Sequence, residues 1–392
     1  MSEKTEVVVV GGGYAGVMAA NRLTRRTDVA VTLINPRAEF VQRIRLHQLA
    51  AGTHDAVTEY GKVLNERVRL VVDSVSRIDA GTRTVTTSQG PVRYDYLVYA
   101  VGSASSAQQI PGVREFAHPL ATLEDARTLR ATLDAAPDAT VTVVGGGASG
   151  IETAAELAEQ GRKVTLICGA TLNPYLSPKG RRTIAARLTR LGVTVLEGPQ
   201  ATEVTRHTVR LDDGREIEGQ LVVWTAGFGV PDLAARSGLS TDPLGRLLTD
   251  ETLTSVDDVR IVAAGDSAAP SGRPYRMGCQ SAVQLGPQAA ETVLSRIAGD
   301  QPAPADVGFA GQCISLGRHT GVFQFSHKDD TARNLHLGGR TGSGVKELVC
   351  RSTVWQLSYE ARKPGVRTWW SKDPNRRQTL ATATEPTPVT AP

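Results

Sequence analysis

The sequence predicts an α/β protein containing two Rossmann-like units, and three observations carry that prediction. VVVVGGGYAG (Val7 to Gly16) drives an apolar strand into a glycine turn and a helix-period segment, and VTVVGGGASG (Val141 to Gly150) does the same again. Each turn is followed by alternating residues and turn signals that lead into an apolar strand stopping at a glycine. These strands end at Gly102 (VVDSVSRIDAGTRTVTTSQGPVRYDYLVYAVGS) and at Gly227 (VLEGPQATEVTRHTVRLDDGREIEGQLVVWTAGF). Finally, 392 residues with 40% hydrophobic content and 39 glycines are enough for two or three domains with ordinary cores.

In the first unit, Gly11, Gly13 and Gly16 fit G-x-G-x-x-G between the strand EVVVV and the helix-period run YAGVMAANRLTRR, with Val17, Ala20 and Leu23 on one face. The first glycine permits the tight turn, the second lets backbone approach a pyrophosphate, and the third lets the helix pack close to the strand. The helix start then offers unpaired N–H groups and the positive dipole end to phosphates. IPGV (Ile110 to Val113) marks a linker, and TLEDARTLRATL (Thr122 to Leu133) reads as a helix with Leu123, Ala126, Leu129, Arg130 and Leu133 near one face. In the second unit Gly145, Gly147 and Gly150 repeat the motif ahead of IETAAELAEQG, which Gly161 caps. Two dinucleotide sites in one chain imply two cofactors, and two cofactors imply electron transfer between them.

Composition narrows the function. No apolar run is long enough to cross a bilayer, and the first strand begins at Val7, which leaves no room for a signal peptide; the expected location is the cytoplasm. Cys168, Cys279, Cys313 and Cys350 lie far apart, with neither a redox pair nor metal-ligand spacing, and each reads alone as a small buried residue. No metal is expected. The net charge of +4 is concentrated between Arg340 and Arg377, where nine Lys/Arg face three Asp/Glu. So local a basic segment does not fit a nucleic-acid partner.

On these motifs the chain resembles the FAD- and NAD(P)H-binding pyridine nucleotide-disulfide oxidoreductase superfamily. Within it, the similarity is to the branch of type II NADH dehydrogenases and apoptosis-inducing-factor-like (ferroptosis-suppressor-like) oxidoreductases, over roughly Val7 to Ala298. The resemblance implies that the first turn binds FAD through Gly11, Gly13, Tyr14, Ala15 and Gly16, with Val101 and Gly102 beside it. It implies that Gly145, Gly147, Ser149, Gly150 and Gly227 hold NADH or NADPH. In VRIVAAGDSAA, Asp266 matches the aspartate that bonds the FAD ribityl chain; read locally, it is a turn or cap residue. The helix starting near Cys279, with Gln280, Ser281 and Ala282, matches one that points its N-terminus at the flavin pyrimidine edge, where it would favour reduction by about 1 kcal/mol.

The resemblance also implies a discontinuous arrangement: residues 1–118 and 251–301 form the FAD domain, 119–250 an NAD(P)H domain inserted in it, 302–377 a C-terminal region, and 378–392 a disordered tail. FVQRIRLHQLAAG (Phe40 to Gly52) stands where disulfide reductases carry their CxxxxC pair and has no cysteine, so electrons leave the flavin directly for a small acceptor such as a quinone. Arg43 and His47 in this run are candidate flavin neighbours, or else surface groups sharing a helix face. Asn35 replaces the usual acid at the end of the second strand of the first unit. Cys168 does so in the second, where Arg181 and Arg182 are the nearest pair for a 2′-phosphate. Both nucleotides are expected to serve. Glu152 matches a glutamate close to the nicotinamide and flavin, and its local reading is a first-turn acid favoured by the helix dipole.

Arg43, His47 and Glu152 are therefore orienting candidates, and the cofactors carry the chemistry. In the C-terminal region Val345, Leu348, Val349, Ser352, Trp355 and Tyr359 recur at helical spacing between Val345 and Lys363, with Trp369 and Trp370 beyond. Two uses are open for this stripe. It packs against the FAD domain or a second subunit, as in a homodimer, or it lies on the inner face of a membrane. The expected activity is FAD-dependent NAD(P)H oxidation with a quinone-like acceptor; the alternatives are a reductase of a ferredoxin-like protein and a redox-sensing flavoprotein.

Overall fold

A computed structural model describes residues 4–105, 110–366 and 371–384, without the side chains of 382–384. The alternating and fully apolar strands assemble as two five-stranded parallel sheets of the same design. In the first, the order is Ile261–Ala263, Tyr96–Tyr99, Thr5–Val10, Val29–Asn35, Val68–Val72. In the second it is Ala117–Pro119, Leu221–Trp224, Val141–Val144, Val164–Gly169, Thr194–Glu197. Val7 and Val9 are covered on one face of the first sheet and Val8 and Val10 on the other. This two-sided burial explains why the strand reads as an unbroken apolar run. Each sheet carries a three-stranded antiparallel meander, Arg77–Arg93 in the first and Ala201–Glu218 in the second, as the internal similarity predicts.

The strand Ile261–Ala263 brings the chain back to the first sheet, so the second unit is inserted in the first. The crossing occurs ahead of Asp250. Leu233, Ala234, Leu239 and Leu247 already share a core with Val8, Ile78 and Tyr99, because LTSVDD follows the return rather than initiating it. The TLEDARTLRATL segment forms the helix Leu123–Ala135 with a capping box between Thr122 and Asp125, and it buries Leu123, Ala126, Leu129 and Leu133.

The C-terminal region is an antiparallel sheet (Gly311–Ser315, Gly321–Ser326, Ala332–Gly338) followed by the long helix Gly339–Arg362. Here the structure corrects the apolar-stripe packing. The buried face of this helix is Lys346, Cys350, Thr353, Leu357, Glu360 and Ala361, whereas Leu348 is 66% and Trp355 50% exposed. Polar groups win the interior because each finds a buried partner: Lys346 meets Glu152, and Glu360 meets Arg22 of the first-turn helix. Trp355 stacks on Tyr359 at 5.1 Å between centroids, outside that interface. Trp369 and Trp370 lie outside the described residues. A second correction concerns only residues 378–384 of the expected disordered tail, as residues 385–392 lie outside the described residues: 378–384 belong to the helix Arg376–Thr384. Its start is held by Arg376, which pairs with Glu251 and sits over the Tyr275 ring.

Candidate active site

Both glycine turns open onto one cavity of about 1410 Å³. Their three glycines divide the work by sterics. A Cβ on Gly11 would collide with Ala100 O and one on Gly16 with Gly11 O, and Gly150 stands in the same relation to Gly145 O; at Gly13 and Gly147 nothing lies within 4 Å. Gly11 and Gly145 also have φ of +102° and +127°. So the first and third glycines close the strand–helix packing, and the second leaves backbone bare to the cavity. No side chain caps either following helix, Tyr14–Leu23 or Ala148–Glu159, among the described residues. Their first N–H groups thus remain for a ligand, and a dinucleotide phosphate suits both the space and the donors. Gly16→Ala is expected to yield little folded protein. Gly13→Ala should fold but lose retained yellow cofactor, measured by absorbance after desalting.

Tyr14, Ala15, Gly102, Ser149, Gln280, Ser281 and Ala282 also line the cavity, whereas Gly11, Gly16, Val101, Gly145, Gly150 and Gly227 do not. Asn35 does not line it either: its Oδ1 accepts from Gly12 N at 2.9 Å and its Nδ2 donates to Arg37 O, so it braces the turn. Cys168 occupies the matching place beneath Gly146. With its amide oriented to satisfy both neighbours, Gln280 donates to Gly311 O at 3.1 Å and accepts from Ala310 N at 2.9 Å. The Ser281 hydroxyl donates to Arg276 O and Gly278 O. Asp266 lines the cavity and accepts from Ser103 Oγ at 2.7 Å and from Gly278 N at 2.8 Å, just ahead of the helix Cys279–Ala298. It therefore does act as a turn residue, with its carboxylate still facing the cavity.

Arg43 and His47, four residues apart, are not on one surface face. Arg43 sits in a 3₁₀ turn, lines the cavity and donates to Ser103 O at 2.8 Å. His47 belongs to the helix Leu46–Ala50, is 4% exposed, and lies behind the wall against Glu152 Oε2 at 3.5 Å and Ser315 Oγ at 3.3 Å. Burial pushes the His47 imidazole down to about 4, so it is neutral at neutral pH and forms no ion pair there.

The charge partner of Glu152 is Lys346, which residue patterns alone did not single out. Its Nζ stands 2.9 Å from Glu152 Oε1, which also accepts from Ser315 N at 2.9 Å. Glu152 lies beyond the first helical turn, so Lys346 rather than the dipole accounts for its ionisation. Burial alone would raise the carboxyl, but the ammonium outweighs it and holds Glu152 below its usual value, while the carboxylate holds Lys346 well above its own. The fold also gathers Cys279, Cys313 and Cys350 near Lys346, against the reading of each as an isolated residue. Burial pushes Cys279 up to about 12 and Cys313 to about 11, which keeps both as thiols.

Also lining the cavity, Arg276 pairs with Asp330 on the hairpin after Gly321–Ser326 and lies over the rings of Tyr175 and Phe309. Arg181 points elsewhere, donating to Thr171 Oγ1 at 2.7 Å in the loop after Val164–Gly169, and Arg182 faces a different hollow. Among the described residues no His/Cys/Asp/Glu cluster suits a metal, and no helix is long and apolar enough to cross a membrane.

Comparison with known proteins agrees with this architecture. The type II NADH:quinone oxidoreductase Ndh of Mycobacterium tuberculosis is 30% identical over 348 residues, spanning 76% of this chain and 74% of the relative. The type II NADH:quinone oxidoreductase of Staphylococcus haemolyticus is 26% identical over 91% of this chain and 96% of its own length. Among solved structures, NDH2 from Plasmodium falciparum in complex with NADH superposes with a TM-score of 0.78 at 17% identity, covering 95% of this chain and 99% of that one, a likeness of fold. Residues 5–291 match the pyridine nucleotide-disulphide oxidoreductase family, and with its paired glycine turns on one cavity the chain belongs to that family.

Proposed function

We propose that the chain is an FAD-dependent NAD(P)H oxidoreductase whose electrons pass to a quinone. The observation that carries this reading is the single cavity shared by both glycine turns, with the ionised Glu152–Lys346 pair in its wall. FAD, when bound, supplies the ring that takes hydride from the nicotinamide and passes electrons to the acceptor. The protein's part is alignment and charge. Gly13 and Gly147 present bare backbone to phosphates, and Asp266 presents a carboxylate to a polyol. Glu152 Oε1 and Lys346 Nζ hold a proton between them in the cavity wall, in a setting where burial strengthens every electrostatic contact. Quinone reduction builds up negative charge, and the Lys346 ammonium, kept protonated by Glu152, supplies a fixed positive charge in the cavity wall. Purified protein should take up FAD, bleach on anaerobic addition of NADH and recover rapidly with menadione. A colourless chain that refuses added flavin would refute the assignment.

Both nucleotides should be used, with kcat/KM values within about a hundredfold of each other, because Cys168 stands where an acid would repel a 2′-phosphate. The exposed stripe of Leu348 and Trp355 beside the cavity residues Val345 and Val349 supports peripheral attachment to a membrane, a natural source of quinone. In a flotation assay with anionic vesicles, Leu348→Glu with Trp355→Glu should stay at the bottom of the gradient while the unaltered chain floats. Equal flotation would remove that proposal.

A further inference from the structure

A second hollow, of about 530 Å³, lies between the helix Pro178–Arg190 and the C-terminal sheet and shares no lining residue with the main cavity. Lys179, Arg182, Arg187 and Arg190 line one side, and Thr320, Gly321 and Gly339 the other. The helix, PKGRRTIAARLTR, has five cations and no acid. Lys179, Arg181 and Arg182 crowd its N-terminal turns, where the dipole disfavours positive charge. Lys179 with Arg182, and Arg187 with Arg190, are like-charged neighbours three residues apart, which also opposes the helix.

The surroundings offset only part of this charge. The facing segments 316–322 and 338–342 contain Arg318, His319 and Arg340 and no carboxylate. Glu159 approaches Arg187 only at 3.7 Å, and its other oxygen accepts from Arg318 N. Arg187 Nε is buried without a hydrogen-bond partner among the described residues. A helix that merely needed a solvated face would intersperse acids; this one concentrates guanidinium groups around a hollow of ligand size and leaves a buried donor unused.

We infer that this hollow binds a phosphate-bearing polyanion, for which the arginine forks and the lysine are matched donors. The ligand chemistry is vicinal or multiple phosphate, whether on a soluble polyphosphate compound or a lipid headgroup. Tripolyphosphate titrated into the full-length flavoprotein, followed by calorimetry, should show saturable binding. Lys179→Glu with Arg190→Glu should weaken it at least about tenfold, and Lys179→Arg with Arg190→Lys should retain it. NADH oxidation by the charge-reversed protein should stay within about twofold of the unaltered enzyme, since the hollow is separate from the main cavity. If the charge-reversed protein fails to fold, Arg190→Gln serves in its place. Vesicles of phosphatidylglycerol that displace tripolyphosphate identify a headgroup as the source, and vesicles that do not displace it identify a soluble compound. Absence of saturable binding, or equal affinity in the charge-reversed and unaltered proteins, overturns the inference.

Discussion

Lys346→Met is expected to lower quinone-dependent kcat by about a hundredfold, the usual loss when a preorganised charge that stabilises developing negative charge is removed. It should also destabilise the protein by about 3–5 kcal/mol, because it strands the Glu152 carboxylate in the interior. The pH dependence separates this from simple loss of packing. In the unaltered protein Glu152 lies below its usual 4.5, so its stabilising contribution is complete above that value and fades as pH falls through the folded one. Lys346 lies well above 10.5, so its contribution is complete below that and is lost only at high pH. Neutral pH falls inside both windows. Without the ammonium, burial dominates and Glu152 moves above 4.5, which destabilises the variant at neutral pH and less so on acidification. The Tm gap between variant and unaltered protein should therefore narrow between about pH 8 and about pH 5. Adding Glu152→Gln should restore most of the stability and none of the rate. A single variant with full activity and a pH-independent gap would eliminate the proton-holding role.

Glu360→Ala is expected to cost about 3–5 kcal/mol in a denaturant titration, although its position is remote in sequence from any motif. Glu360 is fully buried and its carboxylate takes Arg22 Nε and Nη2 together with Gly365 N. Arg22 is itself buried and reaches Glu291 at 2.9 Å. Truncating Glu360 removes the fully buried carboxylate that faces the buried Arg22 guanidinium, and loosens the end of the helix whose start positions Lys346. Arg22→Met with Glu360→Leu should recover stability, because apolar groups of similar volume remove both buried charges. A cost below about 0.5 kcal/mol for Glu360→Ala, the range of ordinary surface changes, would show the clamp to be dispensable.

Both predictions concern contacts that no sequence pattern announced. The glycine turns, the meanders, the helix of TLEDARTLRATL and the helix beginning at Cys279 were legible because each depends on neighbours within a few residues: backbone sterics, strand alternation, helical period. Asp266 was found through its Gly-Asp strand end, but what its oxygens accept was not. The apolar stripe of Gly339–Arg362 was legible as well, yet it misled, since periodicity reports amphipathicity and is silent about which face is covered. Lys346, Cys350, Thr353 and Glu360 do share one helical face, and that run of polar and small residues was the available signal.

By itself the amino-acid order determined the duplicated α/β units, the bare second glycine of each turn and the absence of a dithiol between Phe40 and Gly52. Only the tertiary structure decided that His47 sits neutral behind Glu152, that Asn35 braces a turn, and that Lys346 completes the site. The reason is physical: local geometry is encoded by adjacent residues, whereas the ionisation of a buried group depends on which distant charge the packing of three separate segments delivers to it.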